Sequence, residues 1–260
     1  MLQPPLPRAR QALLSGVGGA AFLALWSVAA LSGLTSRDFL PAPWDVAERF
    51  VHLLFTPFAG YTLPEHLLSS LGRFGMGFGL AVAVGIPLGL LMARFRWLDR
   101  VVSPVFDAVR FVAPIAWVPF AALWFGTGIG GPVLIIFTGA FPPVLINTYR
   151  GALHVERKYI EAAQMLGVSH WRAMTQVLLP AAVPSIVAGL RVSAGLGWQS
   201  LVGAELIVAS SGVGYLMVKG QASVSTATVM SGMVAIGAVG VVIDAALRQL
   251  QQRIERRRGI

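Results

Sequence analysis

Cysteine is absent from the sequence, which excludes disulfides, thiolate metal sites and a cysteine nucleophile. Charge is scarce as well. Asp, Glu, Lys and Arg together make 12% of the 260 residues, against roughly 25% in soluble domains. The only lysines are Lys158 and Lys219, neither follows a glycine-rich loop, and nothing matches G-x-x-x-x-G-K-[ST], so no nucleotide site of that kind is expected. No Ser/His/Asp or paired-carboxylate arrangement is recoverable. His52, His66, His154 and His170 fall in loops or at helix ends without metal-ligand spacing, which reads as a surface role for all four. A membrane-embedded enzyme is therefore disfavoured.

What the chain has in abundance is apolar residues, 56% of the total, with a mean hydropathy of +0.72. Such a chain is an integral membrane protein. With about 20 apolar residues per helical crossing, its length accommodates about five to seven crossings and no separate catalytic domain. Apolar runs at 12–34, 67–93, 101–125, 131–149, 183–208 and 229–247 predict six membrane helices in one all-α domain covering residues 1–260. The first run exceeds the 7 to 15 residues of a signal-peptide core and reads as a retained helix.

Six crossings put both termini on one side of the bilayer. That side holds Arg8 and Arg10; Arg94, Arg96 and Arg100; Arg150, Arg157, Lys158 and Arg172; and the run from Arg248 to Arg258. The opposite side holds only Arg37, Arg49 and Lys219. By the positive-inside rule the termini and the loop at 155–180 are cytoplasmic, and the net charge of +9 reflects topology rather than a nucleic-acid partner. The stretch from Thr35 to Glu65, with its prolines, Trp44 and Tyr61, reads as a non-cytoplasmic connection lying along the interface.

The loop is the least ordinary part of the chain, a polar, helix-forming stretch between two strongly apolar ones. Glu161, Ala162, Ala163 and Leu166 favour a short helix that Gly167 can close in the left-handed conformation. Ser169 can cap a second short helix, which Pro180 and Pro184 are expected to break before the fifth crossing. The two alanines leave room for another protein to approach, while Leu166, Val168 and Trp171 could fill a groove on it. The same residues could equally form an amphipathic pair lying on the membrane without a partner.

Glu161-Ala162-Ala163, then Gly167, and after nine intervening residues Val177-Leu178-Leu179-Pro180 resemble the EAA loop of the membrane subunits of ATP-binding-cassette importers, with Val177 in place of isoleucine. The likeness extends over about residues 40 to 250. Arg110 to Gly128, Asn147-Thr148-Tyr149, Gly189-Leu190-Arg191, and Ala204-Glu205 through Tyr215 look like the branch serving aliphatic sulfonates, taurine and nitrate. The resemblance implies a type I permease fold and a cytoplasmic two-helix coupling loop that transmits ATPase closure to the membrane helices. In it, Glu161, Ala162, Ala163 and Gly167 would be the coupling residues, with Leu179 and Pro180 setting the turn into the fifth crossing. It further implies two ATPase subunits that hold the ATP and Mg this chain does not bind, a second permease copy, and a binding protein. That last partner would deliver a small anion from outside the bacterial inner membrane.

Within the membrane, Gly75, Gly79, Gly85 and Gly89 give small-xxx-small spacings expected to pack helices. Pro87, Pro114, Pro119 and Pro142-Pro143 mark kinks or hinges. Charged residues in apolar runs are functional candidates by default. Asp107 and Arg110 are spaced to pair on one helix face, Glu205 could anchor the extracytoplasmic turn, and Arg110 and Arg191 could guide an anion or serve packing. Trp198, Gln199 and Ser200 interrupt the fifth crossing and either line the passage or bond neighbouring helices. An autonomous ion-driven transporter is the alternative, but neither internal repeats nor midplane ion sites are evident.

Overall fold

The computed structural model describes residues 8–32, 36, 39–126, 128–155 and 157–258, almost all helical. Arg37 and the end of the first predicted run, 33–34, lie outside the described residues. The elements are α1 (Arg8–Leu31), α2 (Pro43–Phe55), α3 (Leu63–Arg94), α4 (Arg96–Val109), a 3-10 turn (Pro114–Trp117) leading into α5 (Val118–Phe125), α6 (Gly130–Leu153), α7 (Arg157–Met165), α8 (His170–Ala173), a π turn (Met174–Leu178), α9 (Leu179–Val208), α10 (Val213–Ala222) and α11 (Thr226–Arg258). Among the described residues, five stretches are long and apolar enough to cross a membrane: Leu13–Leu31, Leu63–Arg94, Gly130–Leu153, Trp171–Val208 and Thr226–Arg256.

The third predicted crossing, 101–125, is not one helix. It is the pair Arg96–Val109 and Pro114–Phe125, bent by 88°, which counts as a sixth span only if the two are taken together. Pro114 lacks an amide hydrogen and pushes the residue before it out of the helical region; Ala113 accordingly has ψ 139°. The other internal prolines, Pro87, Pro104, Pro142, Pro143 and Pro184, stay within continuous helices.

By internal contacts the chain forms two compact units, residues 1–63 with 216–234, and residues 64–215 with 235–260. In the first, the expected connection contains a helix of its own. Pro43 opens α2, and the Asp45 carboxylate accepts from the Ala42 amide at 3.1 Å. Val46 and Leu53, seven apart, are buried on one face, while Trp44, Val51 and Phe55 are exposed on others. Trp26 Nε1 donates to the Pro41 carbonyl (3.1 Å), Arg49 Nε to Thr228 Oγ1 (2.8 Å), and Ser231 Oγ to the Val46 carbonyl (3.2 Å).

In the second unit α6 and α9 make the principal pairing. Small residues let their backbones close: Gly139 lies against Ser200, Gly151 against Ser185, Gly189 against Asn147 and Gly197 against Ala140. α3 joins by a stripe with a spacing of four, Gly77, Ala81, Gly85 and Gly89. The three glycines meet Ile136, Val144 and Thr148, and Ala81 is fully buried. Of the two spacings expected to pack, Gly85 and Gly89 do so, whereas a side chain at Gly75 or Gly79 would meet nothing within 4 Å, and Gly77 and Ala81 take their place.

Candidate functional site

The loop between α6 and α9 folds as helix, tight turn, helix. α7 ends at Met165, and the chain reverses through Gly167 at φ +69°, a conformation nearly free for glycine alone. The Leu166 amide donates to the Ala162 carbonyl (3.1 Å) and the Val168 amide to the Ala163 carbonyl (3.0 Å), satisfying carbonyls that the helix end would otherwise leave unpaired. α8 begins at once, and the Ser169 hydroxyl lies 3.5 Å from the Arg172 amide, a long cap.

The expected break at Pro180 and Pro184 does not occur. The chain passes from α8 through the π turn into α9, so that Trp171–Val208 is one continuous span. The wider turn, in which the Leu179 amide donates to the Met174 carbonyl, gives the Pro180 ring the clearance that an α-helical turn denies it. Met174 and Leu178 are buried with Leu90, Ala152, Ala182 and Ile186, which ties the loop to α3, α6 and α9. Leu179 and Pro180 lie at the head of α9, half-buried.

Outward the loop is bare. Met165 is 88% exposed, Leu166 82% and Trp171 67%, and Glu161, Ala162 and Gly167 are exposed beside them, with Val168 half-buried. Ala163 differs from expectation. At 6% exposure it faces its own chain, so its small size serves packing beneath the loop while Ala162 alone leaves the outer face low.

The polar residues of the spans separate into three arrangements. The first is a buried cluster where α3 meets the turn after α9. Arg73 NH1 donates to Glu205 Oε1 (2.8 Å) and to the Ser211 carbonyl (2.7 Å), and Ser70 Oγ donates to both carboxylate oxygens (2.8 and 2.9 Å). The Gly214 amide adds a donor to Oε2 at 3.0 Å. Glu205 therefore anchors this turn as expected. His66 contradicts its surface reading: it is fully buried, and its Nδ1 accepts from the Gly212 amide at 3.1 Å. The sequence signal for this face was the spacing His66, Ser70, Arg73, one polar stripe at helical period on an apolar helix.

The second arrangement ties α9 to α11. Arg191 Nε and NH2 donate to the two oxygens of Asp244 (2.5 and 3.2 Å), which Arg248 NH2 also contacts at 2.9 Å. Trp198 belongs to the same interface. It is 5% exposed, sets its ring edge-on to Phe74 at 5.5 Å, and donates Nε1 to the Ile236 carbonyl at 3.1 Å. Trp198 is thus an interhelical bond and lines none of the cavities described here.

The third is a cavity of about 540 Å³ walled by the α4–α5 break, α6 and α9, with Gln199 and Ser200 from the expected trio on its lining, together with Arg110, Thr138 and Asn147. Arg110 Nε pairs with Asp107 Oδ1 at 2.8 Å, three residues back, as its spacing predicts.

Residues 85–260 match the family described as the binding-protein-dependent transport system inner membrane component. The taurine transport system permease protein TauC of Escherichia coli (strain K12) is 34% identical over 249 residues, covering 95% of this chain and 90% of that one. The putative aliphatic sulfonates transport permease protein SsuC of Bacillus subtilis (strain 168) is 33% identical over 90% of this chain and 84% of its own. The bicarbonate transport system permease protein CmpB of Synechococcus elongatus is 33% identical over 94% of this chain and 88% of its own. A chain of the MetNI methionine ABC transporter, solved in inward facing conformations, shares the fold with a TM-score of 0.64 at 20% identity, over 74% of this chain and 95% of that one. These matches do not favour an autonomous ion-driven transporter. The chain belongs to the binding-protein-dependent inner-membrane components, the permease subunits of ABC importers.

Proposed function

We propose that this permease imports a small oxyanion-bearing solute as one of a pair of identical subunits. It spans the bacterial inner membrane six times with both termini in the cytoplasm. Two ATPase subunits carry the ATP and Mg, and an extracytoplasmic binding protein delivers the solute. The solutes named for the relatives, taurine, aliphatic sulfonates and bicarbonate, share a compact anionic group. A cavity lined by Arg110, Asn147 and Gln199 supplies a cation and amide N–H donors suited to such a group, while Thr138 and Ser200 on the same lining give their hydroxyl hydrogens to the Ile135 and Leu196 carbonyls.

The observation that carries the reading is the bare surface of Met165, Leu166 and Trp171 around Gly167, above a core that Met174 and Leu178 share with three spans. Apolar side chains exposed on a polar loop mark a docking surface. A partner gripping Glu161, Ala162 and Leu166 would move the hydrophobic base as one piece with α9, because Leu179 and Pro180 continue the span without a hinge. ATP-driven closure of the ATPases would reach the passage by this route.

Gly167→Trp tests it. The substitution forces a bulky side chain into a left-handed position on the docking face. The variant is expected in the membrane at normal level, with ATP-driven uptake of taurine, methanesulfonate or bicarbonate, whichever the parent transports, reduced to background. Uptake at the parent rate would overturn the assignment.

A further inference from the structure

We propose that Arg110 is the anion-selecting residue of the passage and that Asp107 is its resting counter-ion, displaced by the solute as it passes. The inference rests on reading the chain as an anion permease, and on where the third span breaks. Between Val109 and Pro114 the backbone is not helical, and such backbone is tolerated at membrane depth only where it is buried in protein or lines a water-filled space. Here it lines one. Arg110, Val112 and Pro114 form a wall of the 540 Å³ cavity, in which Arg110 is the only charged residue among those described.

Beyond that wall is a second cavity of about 230 Å³ with Asp107, Tyr149 and Arg150 on its lining, and Arg110 and Ile146 are the residues common to both. An anion leaving the larger space towards Arg150, at the loop end of α6, passes Arg110.

The other two arginines inside the apolar runs, Arg73 and Arg191, are committed elsewhere. Arg73 is nearly enclosed and bonded to Glu205 and Ser211. Arg191 touches a separate cavity, but its guanidinium is gripped by both oxygens of Asp244. Arg110 shows a single link to Asp107, whose side chain is 57% exposed, and its guanidinium carbon lies 4.7 Å above the Phe111 ring. A guanidinium has five donors, so it can hold one carboxylate and receive a second anion before releasing the first. The resting pair also spares the empty passage the cost of an uncompensated charge, and the returning carboxylate prevents the solute from lodging there.

The absence of native cysteine makes a direct test available. Ser200→Cys, on the wall of the larger cavity, is the sole thiol of the full chain in native membrane vesicles. Its rates of modification by the sulfonate-bearing 2-sulfonatoethyl methanethiosulfonate and by the cationic trimethylammonium analogue give an anion-to-cation ratio. Arg110→Gln is expected to lower that ratio on the order of tenfold, Arg110→Lys to preserve it, and Asp107→Asn to raise it. Thr138→Cys is a second reporter on the same cavity.

A ratio unmoved by Arg110→Gln overturns the proposal. If that variant fails to insert, a ratio unmoved by Asp107→Asn does so instead, as does inertness of both reporters to both reagents. Co-purification of an ATPase subunit from the same vesicles separates the two readings. A charge effect without an ATPase would sink the importer assignment, and an ATPase without a charge effect would sink only the role of Arg110.

Discussion

Arg73 and Glu205 are the most deeply enclosed ion pair among the described residues, with side chains 8% and 1% exposed. A buried pair is a weak source of stability, but removing one partner strands the other, at a cost of about 3 to 5 kcal/mol. Glu205→Ala leaves the Arg73 guanidinium without its carboxylate and also deprives Ser70 and the Gly214 amide of their acceptor. Thermal unfolding of the purified chain in detergent is expected to show that loss, and the double variant Arg73→Met with Glu205→Leu is expected to recover part of it. Equal stability of Glu205→Ala and parent would show that the cluster is not what holds the turn. Glu205 was legible in the sequence as an acid near the end of an apolar run. Its partner was not, because 132 positions separate them and only the fold brings them together. Trp198 illustrates the opposite limit: the sequence marks it as a polar interruption without showing whether its indole faces water or the carbonyl of Ile236.

At the scale of elements, glycine spacing identified α3 as a close-packing helix, and of its two expected pairs Gly85 and Gly89 make the contact while Gly75 and Gly79 do not. Gly75 and Gly79 satisfy the four-residue spacing as well as Gly85 and Gly89 do, and only the partner helix distinguishes them. A Cβ at Gly85 would stand 2.8 Å from Val144 Cγ1, whereas one at Gly79 meets nothing within 4 Å. Gly85→Leu is therefore expected to destabilise the α3–α6 pair by about 1 to 3 kcal/mol, the range for overpacked interiors, while Gly79→Leu is near neutral. Thermal midpoints of the two variants in one detergent make the comparison, and similar losses for both would contradict the assigned face. The break at Pro114 was likewise half visible, since proline predicts a disturbance but not whether neighbouring helices straighten it. In α6 the Pro142-Pro143 pair lies within an unbroken helix, with the Asn147 amide donating to the Pro143 carbonyl at 2.8 Å. At Pro114 an open cavity takes the place of such support.

For the whole molecule, five of the six apolar runs coincide with helices long and apolar enough to cross a membrane, and the run at 101–125 is the pair bent by 88°, because hydropathy is set by the bilayer rather than by tertiary detail. The sequence could not show that Leu63–Arg94 and Thr226–Arg258 each contribute residues to two compact units, nor that a helix occupies Pro43–Phe55. Gly167 was legible because a left-handed turn needs glycine whatever surrounds it. The continuity of α8 with α9 was not, since proline there argued for a break that the π turn avoids. The central claim, that this chain is the membrane part of an ATP-driven importer, is tested most directly by purifying the tagged chain from its native membrane in mild detergent. Co-purifying subunits would be identified by mass spectrometry and ATP hydrolysis assayed. The account predicts a stoichiometric ATPase subunit with ATP hydrolysis, lost or uncoupled when Gly167→Trp replaces the parent. Recovery of the chain alone, with uptake driven by an ion gradient and indifferent to ATP, would contradict it.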